Sequence, residues 1–124
     1  MPKPKILVVD DEQLTQDFFK LLLSTKYDVH TCGSVNDFYE KVTNTNFNLI
    51  LMDVFLRDVK DGIQLTNEAK KNDKLKDVPI FLITAQTSTK DRQAAISAGA
   101  NRFLTKPIEN KYLLNCIQET LSSK

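Results

Sequence analysis

The sequence has few of the residues that form disulfides or zinc sites. Its 124 residues include two cysteines, Cys32 and Cys116, and one histidine, His30. The cysteines form no CxxC pair and stand beside no histidine cluster, so we expect neither a zinc site nor a disulfide framework. Two reduced thiols packed in or near a core are typical of a cytosolic protein.

The sequence also lacks a charge bias and long hydrophobic runs. With 17 basic and 16 acidic side chains, its formal net charge is +1, which gives no electrostatic basis for binding nucleic acid directly. The first apolar run covers only residues 6–9, far less than a signal peptide needs, and no run approaches the length of a membrane span. We therefore expect a cytoplasmic protein that contacts neither nucleic acid nor a membrane.

Five segments of the chain have the pattern of buried strands. Three are apolar runs without the alternation of a half-exposed strand, and two are weaker; they cover residues 6–9, 49–52 and 79–83, and residues 29–32 and 101–105. Runs of this kind are typical of a parallel sheet that is covered on both faces.

Segments with helical periodicity lie between the predicted strands. The first is predicted to be an amphipathic helix with an apolar face made of Leu14, Phe18, Leu21 and Leu22, and the second to have a face made of Val35, Phe38 and Val42. Ser34 and Ser88 each stand three residues before an aspartate, as in a capping box that begins a helix. Gly99 predicts a helix end, and Pro107 suits the first turn of the last helix.

The alternation of strand and helix, repeated five times, predicts an α/β protein. We expect a flavodoxin-like (βα)5 doubly wound sandwich, with a five-stranded parallel sheet in the order 2-1-3-4-5 and helices on both faces. The length is that of one domain. We therefore predict a single domain over residues 1–124, without a linker.

Polar side chains collect where open parallel sheets bind ligands, just outside the carboxyl ends of the strands. The first strand ends in Asp10 and Asp11, the third in Asp53 and the fourth in Thr84, while the fifth runs into Lys106. Because strands one and three are neighbours in the predicted order, the three carboxylates should converge. Close carboxylates ionise together only if a cation compensates them, so we expect a metal site.

These groups suit phosphoryl transfer. Carboxylates that leave water positions open are typical Mg²⁺ ligands, and a lysine ammonium and a threonine hydroxyl can hold phosphoryl oxygens. A carboxylate can also accept a phosphoryl group covalently, although the residues alone do not tell which of the three aspartates would do so. Taken singly, each residue has a simpler interpretation: a helix N-cap for Asp10 or Asp11, a turn residue for Thr84 and a solvated lysine for Lys106.

Five fragments together resemble the receiver domain of two-component response regulators, over essentially the whole chain. They are ILVVDDE, LILMD, the later DG, the TA of LITA, and SAGANRFLTKP, in the order and rough spacing of that family. The resemblance implies that Asp53 is the phosphoacceptor. It also implies that Mg²⁺ is held by Asp10, Asp11, Asp53 and the backbone carbonyl of Phe55.

The resemblance implies an activity as well. Receivers take a phosphoryl group from a phosphohistidine of a sensor histidine kinase or a histidine phosphotransfer protein, and the aspartyl phosphate shifts the domain between two conformations. Thr84 and Lys106 are implied to contact the phosphoryl group, and Thr84 and Phe103 to form the switch. The helix 4, strand 5 and helix 5 face, between Thr87 and Lys124, would bind an unknown downstream protein. Such a chain is a regulator rather than an enzyme, although its own site catalyses its phosphorylation and dephosphorylation.

Two departures from the family pattern matter. Arg57 stands where the family usually has a proline, and Gly62 comes one residue later than usual, so we expect a lengthened loop after Asp53. Asn101 and Arg102 replace acids that often precede the aromatic residue in the DNA-binding branch, so the dimer of that branch is not expected.

Alternatives stay open at this level. A degenerate receiver would act by protein contact alone; the intact set of five side chains argues against it, and the altered loop argues for it. A Mg²⁺-dependent phosphatase of the haloacid dehalogenase type also uses a strand-end aspartate, but it requires an Asp-x-Asp spacing that Asp10-Asp11-Glu12 lacks. We expect the chain to end with its fifth helix, without an effector domain, either as a stand-alone receiver or as a piece of a larger regulator or hybrid kinase.

Overall fold

Five parallel strands form the centre of the protein. The computed structural model describes residues 2–85 and 88–122, and its strands are β1 Lys5–Val9, β2 Asp28–Cys32, β3 Leu49–Asp53, β4 Ile80–Thr84 and β5 Arg102–Thr105. Their order is β2-β1-β3-β4-β5, and every pairing is parallel. Strands β3 and β4 are buried along their whole length, as their unbroken apolar runs predicted. The predicted fold class and strand order are confirmed.

Five helices alternate with the strands. They are α1 Gln13–Leu23, α2 Val35–Asn44, α3 Gly62–Lys70, α4 Thr89–Ala98 and α5 Asn110–Ser122. The side chains of Ser34 and Ser88 accept hydrogen bonds from the third residue after each, at 3.1 Å, so the two predicted helix starts are confirmed. Gly99 ends α4 in the left-handed conformation with φ 98°, as predicted.

Two apolar clusters cover the two faces of the sheet. One joins the sheet to α2, α3 and α4, with Phe38, Leu65 and Ala95 among its members. The other joins it to α1 and α5, through residues such as Phe19 and Ile117. The sheet is therefore buried between two helical layers, and its carboxyl edge is where a ligand can reach the strands.

The apolar face predicted for α1 was wrong in three of its four residues, since only Leu22 packs against the sheet. Leu14 and Leu21 are each 84% exposed and Phe18 is 46% exposed, while Phe19 and Leu23 face the sheet. Apolar residues occupy so much of this helix that their spacing fits more than one buried face. The face that packs on the sheet includes Gln16. Its amide donates a 2.7 Å hydrogen bond to the backbone carbonyl of Asp10, so burying this polar side chain costs little free energy.

The position predicted for Pro107 was also wrong. Helix α5 begins only at Asn110, so Pro107 lies in the connection before it. The backbone N–H of Lys106 still donates to the carbonyl of Thr84 at 2.7 Å, and the chain then bends at Lys106 and Pro107 before the helix begins. The hydrogen bond keeps Lys106 at the edge of the sheet.

Some expectations concern the chain as a whole. Cys32 and Cys116 are both buried and unbridged, as predicted. Thr87 and Lys124, which bound the predicted output face, lie outside the described residues. Over residues 2–85 and 88–122, none of the helices has the length and hydrophobicity that crossing a membrane requires.

Candidate functional site

The carboxyl edge of the sheet brings three aspartates together. Asp10 and Asp11 directly follow β1, and Asp53 is the last residue of the neighbouring strand β3. One carboxylate oxygen from each of the three lies within 4.8 Å of the others. This convergence is what the predicted strand order required, and carboxylates at this spacing could hold a hard cation such as Mg²⁺.

Hydrogen bonds from backbone N–H groups orient two of these carboxylates. Oδ1 of Asp10 accepts from the N–H of Glu12 at 2.9 Å, and Oδ1 of Asp53 accepts from the N–H of Phe55 at 3.3 Å. Glu12 is the N-cap residue of α1, so the simpler interpretation of Asp10 or Asp11 as that N-cap was wrong. Their side chains turn to the edge of the sheet instead.

The charge of the buried pair is only partly balanced. Asp10 and Asp53 are 2% and 8% exposed. Lys106 reaches both, with its Nζ 3.4 Å from Oδ2 of Asp10 and 3.9 Å from Oδ1 of Asp53. Burial nevertheless raises the pKa of both carboxyl groups above the ordinary value for aspartate, and the charge of Asp10 raises the pKa of Asp53 further. A bound cation would favour the ionised form of both.

Asp11 has a different partner. Its Oδ2 accepts from Nε of Arg57 at 2.9 Å and from the backbone N–H of Arg57 at 3.3 Å. These hydrogen bonds hold the pKa of Asp11 below its ordinary value. The sequence does not predict this contact; the one signal it offers is a basic residue, Arg57, in the loop after β3.

A cleft of about 280 Å³ opens over the aspartates, and its lining residues are Asp11, Glu12, Asp53, Phe55, Arg57, Ala85 and Lys106. Asp53 thus borders the cleft, whereas Asp10 is not among the residues that line it. Thr84, at the end of β4, is fully buried next to the strand that carries Asp53. All five polar residues selected from the sequence therefore lie at one edge of the sheet.

Hydrogen bonds and an ion pair hold the loop after Asp53 at several points. Besides the bonds from Arg57, the carboxylate of Asp58 accepts from the N–H of Val35 at the start of α2, at 2.9 Å. Lys60 forms an ion pair with Glu68 of α3, at 2.7 Å. These contacts stabilise the loop beside the cleft.

An apolar groove of about 500 Å³ adjoins the cleft, and we call it the α1 groove. Its lining residues are Leu14, Thr15, Phe18, Phe19, Ala85, Lys106, Pro107, Ile108 and Leu113. Ala85 and Lys106 line both the groove and the cleft. The exposed face of α1 is therefore continuous with the mouth of the candidate site.

Phe103, the predicted switch residue, lies in β5 and is half-buried. It packs against the cluster beneath α2, α3 and α4. The guanidinium of Arg92, on α4, lies 5.3 Å from the centre of its ring. Phe103 thus links β5 to the exposed surface of α4.

Comparison with known proteins gives a consistent result. The sequence model of the response regulator receiver domain matches residues 6–118. Response regulator ArlR of Staphylococcus saprophyticus is 32% identical over 118 residues, which cover 94% of this chain and 52% of that protein. The chain therefore spans about half the length of this curated relative.

Solved structures agree with the sequence comparison. A CheY-like receiver domain protein from Methanospirillum hungatei superposes with a TM-score of 0.89 at 28% identity, over 98% of this chain and 95% of that one. The receiver domain of sensor histidine kinase PA1611 from Pseudomonas aeruginosa superposes with a TM-score of 0.87 at 27% identity, over 97% and 98% of the two chains. That structure has a magnesium ion coordinated in its active-site cleft.

Proposed function

Because this chain belongs to the response regulator receiver domain family of two-component systems, we propose that residues 1–124 form one receiver domain whose Asp53 accepts a phosphoryl group. The donor is a phosphohistidine of a sensor histidine kinase or of a histidine phosphotransfer protein. The protein acts as a cytoplasmic signalling switch and not as an enzyme that turns over a substrate, although its own site catalyses its phosphorylation and dephosphorylation.

The position of Asp53 is the observation that carries this proposal. It is the one member of the buried pair that borders the cleft, since Asp10 is absent from the cleft lining. Asp11 also borders the cleft, but it is engaged twice by Arg57. A donor that enters the cleft therefore meets the carboxylate of Asp53 with Lys106 beside it.

The transfer exchanges one bond for another. A carboxylate oxygen of Asp53 attacks phosphorus, the bond between phosphorus and the imidazole nitrogen of the donor breaks, and the imidazole leaves with the electron pair of that bond. Lys106 and Thr84 supply an ammonium and a hydroxyl to the phosphoryl oxygens. Asp10, Asp11, Asp53 and the carbonyl of Phe55 would hold Mg²⁺, which when bound neutralises the carboxylates and the phosphoryl group.

The donor protein docks on the α1 groove. A donor must place its phosphohistidine over Asp53, and the groove is the apolar surface continuous with that cleft through Ala85 and Lys106. Leu14 and Phe18 are exposed there, and apolar groups exposed beside a site are typical of a protein contact.

Polar substitutions in the α1 groove should slow transfer from a protein donor selectively. Leu14→Ser and Phe18→Ser are each expected to slow it about five- to thirtyfold, the usual effect of removing an apolar anchor. The probe is a phosphorylated histidine kinase or phosphotransfer protein selected because it labels the wild type. Ile96→Ser, an exposed apolar position on α4, is the matched control and should leave transfer unchanged. An equal loss of labelling by a small phosphodonor would contradict a docking role.

Phosphorylation is read out on the face formed by α4, β5 and α5. Thr84 moves toward the phosphoryl group, and Phe103 then turns inward. Side chains in a packed element have few alternative positions, so a shift of one side chain requires its neighbour to change position as well. Phe103 lacks the hydroxyl of a tyrosine, so packing alone distinguishes its two states. Its contact with Arg92 connects this change to the surface of α4, where a downstream protein binds.

Backbone NMR with the phosphoryl mimic beryllofluoride tests the proposed function. In the presence of Mg²⁺, the amide signals of Thr84, Phe103 and Lys106 should shift. Those of Asp28 and Val29, at the start of the outer strand β2, should not. Omitting Mg²⁺ or replacing Asp53 by asparagine should remove the shifts. A wild-type spectrum that does not change with Mg²⁺ and beryllofluoride would contradict the proposal.

A further inference from the structure

Two cations share the three carboxylates of the site. Among the ion pairs of the described residues, Lys106 contacts Asp10 and Asp53, whereas Arg57 contacts Asp11. Lys106 is at the edge of the sheet, where the transfer reaction uses it. Arg57 comes from the loop after the acceptor strand, at a position where the family usually has a proline. Nothing in the proposed transfer requires Arg57.

The pairing of Arg57 with Asp11 involves an atom that a metal would need. Both hydrogen bonds from Arg57 end on the same oxygen, Oδ2 of Asp11. While that oxygen accepts them, it is engaged and cannot be a full ligand of Mg²⁺. Use of the other oxygen would still leave a guanidinium charge beside a divalent cation, and the two repel.

Arg57 is able to leave. Its side chain is 79% exposed, against 17% for Asp11, so the guanidinium can move into water while the carboxylate remains at the site. Ion pairs with one exposed partner are weak, and the ionic strength of the solvent screens them. The pair is therefore weak enough for a divalent cation to displace it.

We propose that Arg57 is a built-in competitor of Mg²⁺: it occupies Asp11 in the metal-free protein, is displaced when the ion binds, and thereby lowers the affinity of the site for magnesium. This inference rests on the proposed function, because it requires Mg²⁺ to bind at Asp11. The consequence is a receiver that needs a higher magnesium concentration to become ready for phosphorylation than the three aspartates alone would require.

Calorimetric titration with MgCl₂, at neutral pH and low, constant ionic strength, tests the competition. Arg57→Gln should bind Mg²⁺ about two- to fivefold more tightly than the wild type, the range expected when one exposed ion pair is removed. Arg102→Gln is the matched control, because it removes the same charge from an ion pair with Glu119, 3.3 Å long, at the other end of the sheet. Its affinity should equal that of the wild type.

The outcomes separate this inference from the proposed function. Measurable binding by the wild type with equal or weaker binding by Arg57→Gln would overturn the competition and leave the metal site intact. No binding by either protein would overturn both. If Arg57→Gln and Arg102→Gln raise the affinity for Mg²⁺ equally, the effect comes from net charge alone. That result would also overturn the specific role of Arg57.

Discussion

Replacing Gly62 by alanine should destabilise the protein by about 3 kcal/mol or more. An added Cβ would lie 2.0 Å from the backbone carbonyl oxygen of Asp53 and 3.0 Å from Cγ of Met52. The first of these atoms belongs to the backbone of a central strand, so it cannot move aside as a flexible side chain could. The N–H of Gly62 also donates to the carbonyl of Val54 at 2.9 Å, which keeps the start of α3 against the end of β3.

Denaturation by urea in the presence of EDTA measures this effect. Gly33→Ala is the matched control, because the nearest atom to its added Cβ is the side-chain Nε2 of Gln16, at 3.2 Å. We expect that variant to lose less than about 1 kcal/mol. An alanine at residue 62 that costs no more stability than the one at residue 33 would contradict the close approach of α3 to β3.

Replacing Asp53 by asparagine should stabilise the metal-free protein at neutral pH, by about 1 kcal/mol. Burial, together with the charge of Asp10, raises the pKa of Asp53 in the folded state. A group of this kind contributes stability that is fully present below its unfolded pKa and is lost as the pH rises through its folded pKa. At neutral pH the ionised Asp53 is therefore unfavourable, and asparagine removes the charge at nearly constant shape.

The difference in stability between the wild type and Asp53→Asn should also depend on pH. In EDTA, the contribution of Asp53 should make the wild type lose stability relative to Asp53→Asn as the pH rises from about 4, the ordinary pKa of aspartate. Saturating Mg²⁺ should stabilise the wild type, because a ligand that binds only the folded state favours it. A variant that is less stable than the wild type in EDTA at neutral pH would contradict the unbalanced charge at the site.

The sequence predicted most of the fold because its three central strands carry an unambiguous pattern. Runs such as those at residues 49–52 and 79–83 are apolar without interruption and end at polar residues, which allows little choice of element or boundary. Helix α1 was different. Apolar residues lie on several sides of it, and only packing against the sheet selects Phe19 over Phe18, with Gln16 bonded to Asp10 on the buried side.

The aspartates of the site were predictable from the sequence, but the contacts of the loop after β3 were not. The aspartates converge because parallel strands end at one edge, so the chain positions of Asp10 and Asp53 were sufficient to bring them together. Arg57 was not predictable as a partner of Asp11, since 46 residues separate them and the contact depends on the path of an irregular loop. The same holds for the bond from Val35 to Asp58, which no local pattern indicates.

Whether Asp53 is the phosphoacceptor can be tested by intact mass spectrometry after incubation with Mg²⁺ and a small phosphodonor such as acetyl phosphate. A small donor requires no docking surface, so the result depends only on the cleft and its residues. We expect a single phosphoryl group on the wild type, none on Asp53→Asn, and none on the wild type in EDTA. An unmodified wild type, or an adduct that persists undiminished on Asp53→Asn, would contradict this role of Asp53.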